Sequence, residues 1–182
     1  AFISSGIKTQ TVSEVSKLTS SDIAIIVNPN NPTGKVIADE TLEDLSKKVR
    51  ILIIDESFKM FSSRRTLNFS NIIQINSLGK FFGLAGVRLG FVSGPSDFIK
   101  TVKEMLGPWP VSSLAAKIGI VALNDKVWIS EMEKILVNES NAFHEACNSK
   151  NWELVGRTSL FHTYATSSCL EVEKQFAAHG IW

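Results

Sequence analysis

The sequence contains few of the residues that build metal sites and disulfide-rich folds. Among its 182 residues there are two cysteines and three histidines. Cys147 and Cys169 have neither the spacing of metal ligands nor the number needed for a disulfide framework, so we expect free thiols in a reducing cytoplasm. His144 and His162 fall on a predicted helix and a predicted strand, where we expect exposed positions rather than a ligand set.

The sequence also lacks a long apolar run and an excess of either charge. No apolar run approaches the roughly 18 residues that a membrane-spanning helix needs. The formal net charge is +1, which gives no basic surface of the kind that binds nucleic acids. The one adjacent arginine pair, Arg64-Arg65, is assigned to a solvated loop. The sequence therefore predicts neither a nucleic-acid partner nor a membrane partner.

The composition is that of a folded globular protein. Hydrophobic residues make up 44% and charged residues 20% of the chain, close to the averages for globular domains. The length suffices for one domain with a substantial core or for parts of two domains.

Short apolar segments separated by a helical pattern predict a parallel sheet. Ile23–Val27 and Ile51–Ile54 have the length and β-branched content of buried strands. Between them a helix is predicted from Asp39, which is expected to cap it. A strand, a helix and a strand in this order form a parallel unit. Ile72–Ile75 and Leu89–Ser93 are two further predicted strands.

Polar residues directly follow the first two predicted strands. Asn28–Gly34 contains two prolines and a glycine, which predict a turn, and Asp55 ends the second strand. Open α/β sheets bind ligands at the carboxyl ends of their strands. A carboxylate beside apolar residues at that edge requires a cationic partner, so Asp55 is a candidate site residue.

The third strand leads into Ser77–Gly90, a stretch rich in glycine and apolar residues that contains one lysine. Apolar surroundings disfavour the charged form of an amine, so we interpret Lys80 as a nucleophile towards an aldehyde. Ser77 and Arg88 offer hydroxyl and guanidinium donors to a phosphate, and the glycines allow the backbone to approach it. The alternative interpretation is a glycine-rich turn with a solvated lysine.

These segments together resemble the fold-type-I aminotransferase superfamily, whose members depend on pyridoxal 5'-phosphate (PLP). Lys80–Gly90, with the sequence Lys-Phe-Phe-Gly-Leu-Ala-Gly-Val-Arg-Leu-Gly, is most similar to the threonine-phosphate decarboxylase branch of cobalamin biosynthesis. Histidinol-phosphate aminotransferases are the neighbouring branch. The resemblance implies an enzyme whose small-molecule substrate is a phosphorylated amino acid, which it decarboxylates or transaminates. A non-catalytic truncated remnant that acts as a binding module is the alternative from another class.

The resemblance also implies a role for each candidate residue. Lys80 carries the covalent bond to the PLP aldehyde. Asp55 pairs with the protonated pyridine nitrogen, which keeps the ring an electron sink. Asn31 lies against the ring oxygen O3′, within reach of a substrate carboxylate. Ser77 and Arg88 bind the cofactor phosphate.

The sequence also leads to expectations for three other positions. Phe58 replaces the tyrosine with which many relatives donate a hydrogen bond to O3′, so we expect more of that role to rest on Asn31 and ordinary transaminase efficiency to suffer. Glu56 is given no chemical role. Trp109 is assigned equally to the lining of the active site and to the core.

The fold implied by the resemblance is α/β, with a three-layer, PLP-transferase-like large domain built on a mostly parallel sheet. We assign residues 1–125 to this domain, and residues 126–182 to a linker helix and part of a smaller α+β C-terminal domain. Complete relatives are longer at both ends, so we expect this chain to be a fragment that is inactive alone. The resemblance further implies a homodimer, and the expected free thiols indicate a cytoplasmic location.

Overall fold

The computed structural model describes residues 5–18, 21–67, 69–150 and 152–181. Two sheets and a series of helices follow one another along these residues. The strands are β1 (Ser21–Val27), β2 (Val49–Asp55), β3 (Ile72–Ser77), β4 (Gly90–Ser93), β5 (Glu153–Arg157) and β6 (His162–Ala165). The helices are α1 (Asp39–Ser46), α2 (Ser96–Leu106), α3 (Ser113–Asn124), α4 (Lys126–Asn148) and α5 (Cys169–Ala178).

The first four strands form one sheet in the order β1-β2-β3-β4. β1, β2 and β3 run parallel, and β4 runs antiparallel to β3. The register aligns Val27 with Asp55 and Asp55 with Ile75, so three strands reach the same edge of the sheet. At that edge Ser77 is paired with Gly90 of β4. The predicted α/β fold with a mostly parallel sheet is confirmed.

The core beside β2 is aliphatic, and α1 contributes to it. Leu52 and Ile54 of β2 and Leu42 of α1 are fully buried, and each such side chain stabilises the fold by about 1.5–3 kcal/mol. The helix begins at Asp39, as predicted. The capping prediction is wrong, because Ala38 is the N-cap residue and no side chain caps the helix.

A second core is aromatic and lies between the segment after β3 and α4. The rings of Phe81 and Phe82 meet edge-on with centroids 4.9 Å apart, and Phe82 stacks on Trp128 at 5.6 Å. Phe61 packs against both phenylalanines. We call these four residues the aromatic cluster. Because Phe81 directly follows Lys80, the cluster fixes the backbone beside the candidate lysine.

The C-terminal part contains a separate antiparallel pair of strands, β5 and β6. Ser168 caps the helix that follows, since its hydroxyl accepts a hydrogen bond from the Glu171 N–H at 3.4 Å. The predicted domain division near residue 125 stays a prediction, and α4 begins at Lys126. In the part of the chain that the structure describes, no helix is both long enough and apolar enough to cross a membrane.

Trp109 lies in the loop before α3 and is 91% exposed. The expected role of filling the core is therefore excluded among the described residues. The other expected role, lining the active site, stays a prediction.

Candidate active site

The carboxyl ends of β2 and β3 bring predicted site residues to one edge. Asp55 is the last residue of β2, and its carbonyl accepts a hydrogen bond from the Asn28 N–H at 2.9 Å. The Glu56 N–H donates to the Ile75 carbonyl at 2.8 Å. Because Ile75 is aligned with Asp55 and side chains alternate along a strand, Ser77 lies on the same face of the sheet as Asp55.

The Asp55 carboxylate is held by one oxygen only. Its Oδ1 accepts hydrogen bonds from the Ser57 N–H at 2.9 Å and from the Ser57 hydroxyl at 2.5 Å. Its Oδ2 has no hydrogen-bond or ion-pair partner among the described residues. The carboxylate is therefore oriented by its own turn and keeps one oxygen for a cation.

Asn31 is exposed in the loop between β1 and α1. The buried amide of Asn28 fixes the base of this loop, because it donates to the Ile37 carbonyl and accepts from the Ile37 N–H, both at 2.9 Å. Within the loop, the Asn30 side chain accepts from the Thr33 hydroxyl at 2.7 Å. Asn28 was not among the predicted site residues, although an amide directly after a buried strand is the signal for such an anchor.

The loop that carries Asn31 packs closely on the C-terminal strands. Gly34 has a φ of 68°, and a Cβ atom there would lie 2.5 Å from the Arg157 backbone nitrogen. A Cβ atom at Gly156 would overlap the Thr33 carbonyl. Two glycines thus permit the contact through which β5 positions this loop.

The stretch Ser77–Gly90 folds back on itself. The Leu78 N–H donates to the Leu89 carbonyl at 3.3 Å, which continues the pairing of β3 with β4 and closes the loop. Ser77 and Arg88 each precede one member of this pair by one residue. The base of the loop therefore holds both residues predicted to bind a phosphate.

Donors at the base of this loop remain available to an anion. The Ser77 hydroxyl oxygen accepts from the Gly79 N–H at 2.9 Å, which leaves the O–H free to donate. Arg88 is exposed, has a φ of 57° and donates from Nη1 to the Ala85 carbonyl at 3.0 Å. The remaining N–H groups of this guanidinium bond no described residue. A hydroxyl and a guanidinium suit a phosphate monoester.

Lys80 is exposed, and its Nζ lies 5.3 Å from the centre of the Phe58 ring. Phe58 in turn meets Phe161 edge-on, with centroids 5.1 Å apart. The lysine therefore lies beside the turn that follows Asp55. The expected burial is found at the next residue, Phe81, whereas Lys80 is exposed and has the Phe58 ring on one side. Phe161 was missed because nothing in its local sequence connects it with a site about 80 residues earlier.

On the opposite face of the same edge, Glu56 is the centre of a buried polar network. Glu56 is 1% exposed, and its Oε1 accepts from the Lys59 Nζ at 2.6 Å. Its Oε2 accepts from the side-chain amides of Gln74 at 3.0 Å and Asn76 at 3.2 Å. We call these four residues, together with Arg64, the Glu56 network. Glu56, to which no chemical role was assigned from the sequence, therefore has a structural role.

Both arginines lie in a loop, but the expectation of a solvated position holds for Arg65 only, because Arg64 is half-buried. Arg65 forms an ion pair with Asp39. Arg64 is half-buried and donates from Nη2 to the Ser77 carbonyl at 3.2 Å. Burial lowers the pKa of the Arg64 guanidinium, and the Glu56 carboxylate opposes that shift.

The two histidines expected at exposed positions instead join a hydrogen-bonded chain. Ser140 Oγ lies 2.7 Å from His162 Nε2, and the Tyr164 hydroxyl lies 3.3 Å from His162 Nδ1 and 2.8 Å from His144 Nδ1. We call these four residues the histidine chain. Burial lowers the pKa of His162, with the neighbouring Arg157 and His144 acting in the same direction. The chain joins α4 to β6.

The groups at the Asp55 edge fit the chemistry of PLP. Lys80 offers an amine for its aldehyde, and Asp55 offers a free carboxylate oxygen for a protonated ring nitrogen. Ser77 and Arg88 offer donors for its phosphate, and Asn31 offers an exposed amide. The individual roles of these five residues stay predictions.

Comparison with known proteins gives sequence relatives along most of the chain. Residues 8–178 match the sequence model of the family described as aminotransferase class I and II. The chain is 33% identical over 174 residues to a threonine-phosphate decarboxylase from Pseudomonas aeruginosa, covering 90% of this chain and 52% of the relative. It is 34% identical over 119 residues to a histidinol-phosphate aminotransferase from Buchnera aphidicola, covering 61% of this chain and 34% of the relative.

A solved structure has the same fold. The histidinol-phosphate aminotransferase from Sinorhizobium meliloti, solved in complex with pyridoxal-5'-phosphate, matches with a TM-score of 0.78 at 17% identity. The match covers 89% of this chain and 48% of that one. The chain thus spans about half the length of the Pseudomonas relative and of this structure.

Proposed function

Because the chain belongs to the class I and II aminotransferase family, we propose that the protein is a PLP-dependent enzyme that acts on an amino acid as its small-molecule substrate. The family membership confirms the relationship predicted from the Lys80–Gly90 segment. The proposed cofactor is the one that the Sinorhizobium meliloti relative contains.

The observation that carries the proposal is the meeting of Asp55, Ser77 and Lys80 at one sheet edge. Asp55 and Ser77 share a face of adjacent strands, and Lys80 lies beside the turn after Asp55. Each of the three keeps a group without a hydrogen-bond partner among the described residues: a carboxylate oxygen, a hydroxyl hydrogen and an amine. These groups correspond to the ring nitrogen, the phosphate and the aldehyde of PLP.

Each residue then has a distinct task. PLP, when bound, supplies a ring that accepts the electron pair left when a bond at the substrate Cα breaks. Asp55 holds a proton on the ring nitrogen through its free Oδ2, and Ser77 and Arg88 hold the phosphate. The Lys80 Nζ would hold the aldehyde carbon of PLP covalently and, when released from it, would move a proton at the substrate Cα.

Within the family we favour a reaction like that of threonine-phosphate decarboxylase, in cobalamin biosynthesis. The support is the 33% identity to such an enzyme over 90% of this chain. A histidinol-phosphate aminotransferase reaction is the second candidate, supported by 34% identity over 61% of the chain. A non-catalytic remnant is disfavoured, because Lys80, Asp55 and Ser77 all keep the groups that the chemistry needs.

We further propose that the protein acts as a cytoplasmic homodimer. The support is analogy with the superfamily, whose subunits usually share active-site residues across a two-fold axis. Light scattering of the full-length protein with PLP tests this directly, and a monomer excludes it.

Two substrates separate the candidate reactions. The full-length protein with PLP is given either O-phosphothreonine, or histidinol phosphate with an oxo-acid acceptor. We expect release of CO₂ from the first and no amino transfer from the second. Amino transfer without CO₂ release supports the aminotransferase, and the absence of both products from the PLP-loaded protein supports the remnant.

A further inference from the structure

We propose that Arg64 is a positioning residue that ties the turn after β2 to the turn that carries Lys80. The inference rests on the proposed function and extends it to a side chain on the far face of the sheet edge. Arg64 acts through the backbone of its neighbours and not by contact with a substrate.

The bridge is made by a single nitrogen. Arg64 Nη2 carries two N–H groups and donates to the Lys59 carbonyl at 3.3 Å and to the Ser77 carbonyl at 3.2 Å. Lys59 belongs to the turn that follows Asp55, and Ser77 begins the turn that leads to Lys80. These two bonds constrain the distance between Asp55, the proposed partner of the ring nitrogen, and Lys80, the proposed partner of the aldehyde. The constraint acts from the opposite face of the sheet edge.

The surroundings of Arg64 keep it charged and fixed. Glu56 favours the protonated guanidinium in a half-buried position. The guanidinium carbon lies 5.8 Å from the centre of the Phe61 ring, and Phe61 stacks on Phe81. Arg64 thus holds the backbone before Lys80, while the aromatic cluster holds the residues after it.

Stability alone is a poor explanation for a guanidinium here. The buried atoms Arg64 Nε and Asn76 Oδ1 have no hydrogen-bond partner among the described residues. An unpaired buried donor and a partly desolvated cation both cost free energy, which an apolar side chain would avoid. A bond to both carbonyls does require a nitrogen with at least two N–H groups at this place, and the guanidinium supplies them on Nη2.

The adjacent residue provides a matched control. Arg65 has the same side chain and a neighbouring backbone position. It is 58% exposed in its side chain and pairs with Asp39 at the start of α1. Among the described residues its side chain bonds neither turn. Its substitution therefore removes the same charge as that of Arg64 but leaves the two bonds of Arg64 Nη2 intact.

The first test needs no cofactor. In the full-length protein without PLP, we expect Arg64→Gln to speed hydrogen exchange at the Leu78 and Gly79 amides by about tenfold or more, as expected when one hydrogen bond from a charged group is lost. Amides in the middle of β2 keep their exchange rates. Arg65→Gln leaves both regions unchanged. A uniform rise across the sheet, or no rise at Leu78 and Gly79, overturns the proposal.

The second test adds PLP. We expect Arg64→Gln to lower PLP retention and to move the pH midpoint of the yellow absorption, whereas Arg65→Gln changes neither. Arg64→Lys keeps the charge beside Glu56, but its ammonium ends one bond short of the position of Nη2 and does not reach both carbonyls, so we expect it to restore only part of both properties. Full restoration by lysine means that charge alone matters and overturns the bridge.

The two proposals can fail separately. If the wild-type protein binds no PLP at Lys80, the proposed function fails. The exchange result at Leu78 and Gly79 still decides whether Arg64 joins the two turns.

Discussion

The two faces of one sheet edge hold their polar side chains in opposite states. On one face, Asp55 and Ser77 each keep an atom that no described residue bonds, and the nearby Lys80 is exposed. On the other face, Glu56 is 1% exposed and both of its oxygens accept hydrogen bonds. Asp55 and Glu56 are consecutive residues, so the alternation of a strand separates the two states.

The difference shows which polar groups at this edge can do chemistry. A buried carboxylate whose oxygens are all bonded holds strands and turns together, and it has no capacity left for a ligand. An oriented carboxylate with a free oxygen costs less to keep near solvent and can bind a cation. Substitutions on the two faces should therefore separate activity from stability.

The largest expected effect is on activity, from removal of the Lys80 amine. In the full-length protein with PLP, Lys80→Ala lowers turnover by at least about 1,000-fold, because the covalent partner and the proton-moving group are lost together. Its free energy of unfolding changes by less than about 0.5 kcal/mol, since Lys80 is exposed. Steady-state kinetics and urea unfolding measure the two quantities. The control is Lys100→Ala, which replaces an exposed lysine of α2. An equal loss of turnover in this variant contradicts a specific role for Lys80.

The next effect is on stability, from the opposite face. Glu56→Gln leaves the Lys59 ammonium, 13% exposed in its side chain, without its anion, so the free energy of unfolding falls by about 3 kcal/mol. Asp55→Asn lowers it by less than about 1 kcal/mol while turnover falls. Urea unfolding of both variants makes the comparison. A larger stability loss for Asp55→Asn contradicts the division between the faces.

A smaller effect is expected on cofactor affinity. Arg88→Ala removes a charge-assisted donor to the phosphate and weakens PLP binding by about 2 kcal/mol, or about 30-fold. Fluorescence titration of the full-length protein with PLP measures the dissociation constant. Arg50→Ala is the matched control, because this exposed arginine lies at the start of β2 and pairs with Asp22. Equal weakening in both variants excludes a specific role for Arg88.

The smallest effect concerns a region distant in sequence from both faces, the histidine chain. Because the pKa of His162 is lowered by folding, the folded state binds fewer protons than the unfolded state below the ordinary histidine pKa of about 6.5. Its contribution to stability is thus complete above about pH 6.5 and falls as the pH drops through the folded-state pKa. Among the charged and titratable neighbours, Arg157 of β5 and His144 of α4 oppose protonation.

Unfolding free energies measured from pH 7.5 to pH 5 check this dependence. His162→Gln should lose part of the decline that the wild-type protein shows on acidification. His179→Gln, at the C-terminal cap of α5, should keep it. Identical slopes for the wild type and His162→Gln exclude the histidine chain as its source.

The parts of the fold that could be predicted are encoded locally. The runs Ile23–Val27 and Ile51–Ile54 are apolar enough to require burial, and the helix between them makes the strands parallel. Asp55 then falls at the carboxyl edge by chain order alone. The same reasoning placed Ser77 and Lys80 at the end of the next strand.

The parts that could not be predicted depend on contacts between distant segments. Phe161 reaches Phe58 only because the C-terminal strands pack on the loop after β1. The exposure of Lys80 could not be predicted from its apolar sequence neighbours. The Phe81 side chain is buried in the aromatic cluster, whereas the Lys80 side chain is exposed. Arg64 looked solvated since its acceptor at Ser77 lies 13 residues away.

The central claim, that Lys80 is the residue that binds PLP covalently, can be tested by chemical fixation. The full-length protein is loaded with PLP, reduced with borohydride and digested, and the pyridoxyl group is located by peptide mass spectrometry. The account predicts a yellow protein with the label on Lys80 alone, and no fixed label in Lys80→Ala. A label on Lys59 or Lys100, with Lys80 unmodified, contradicts it.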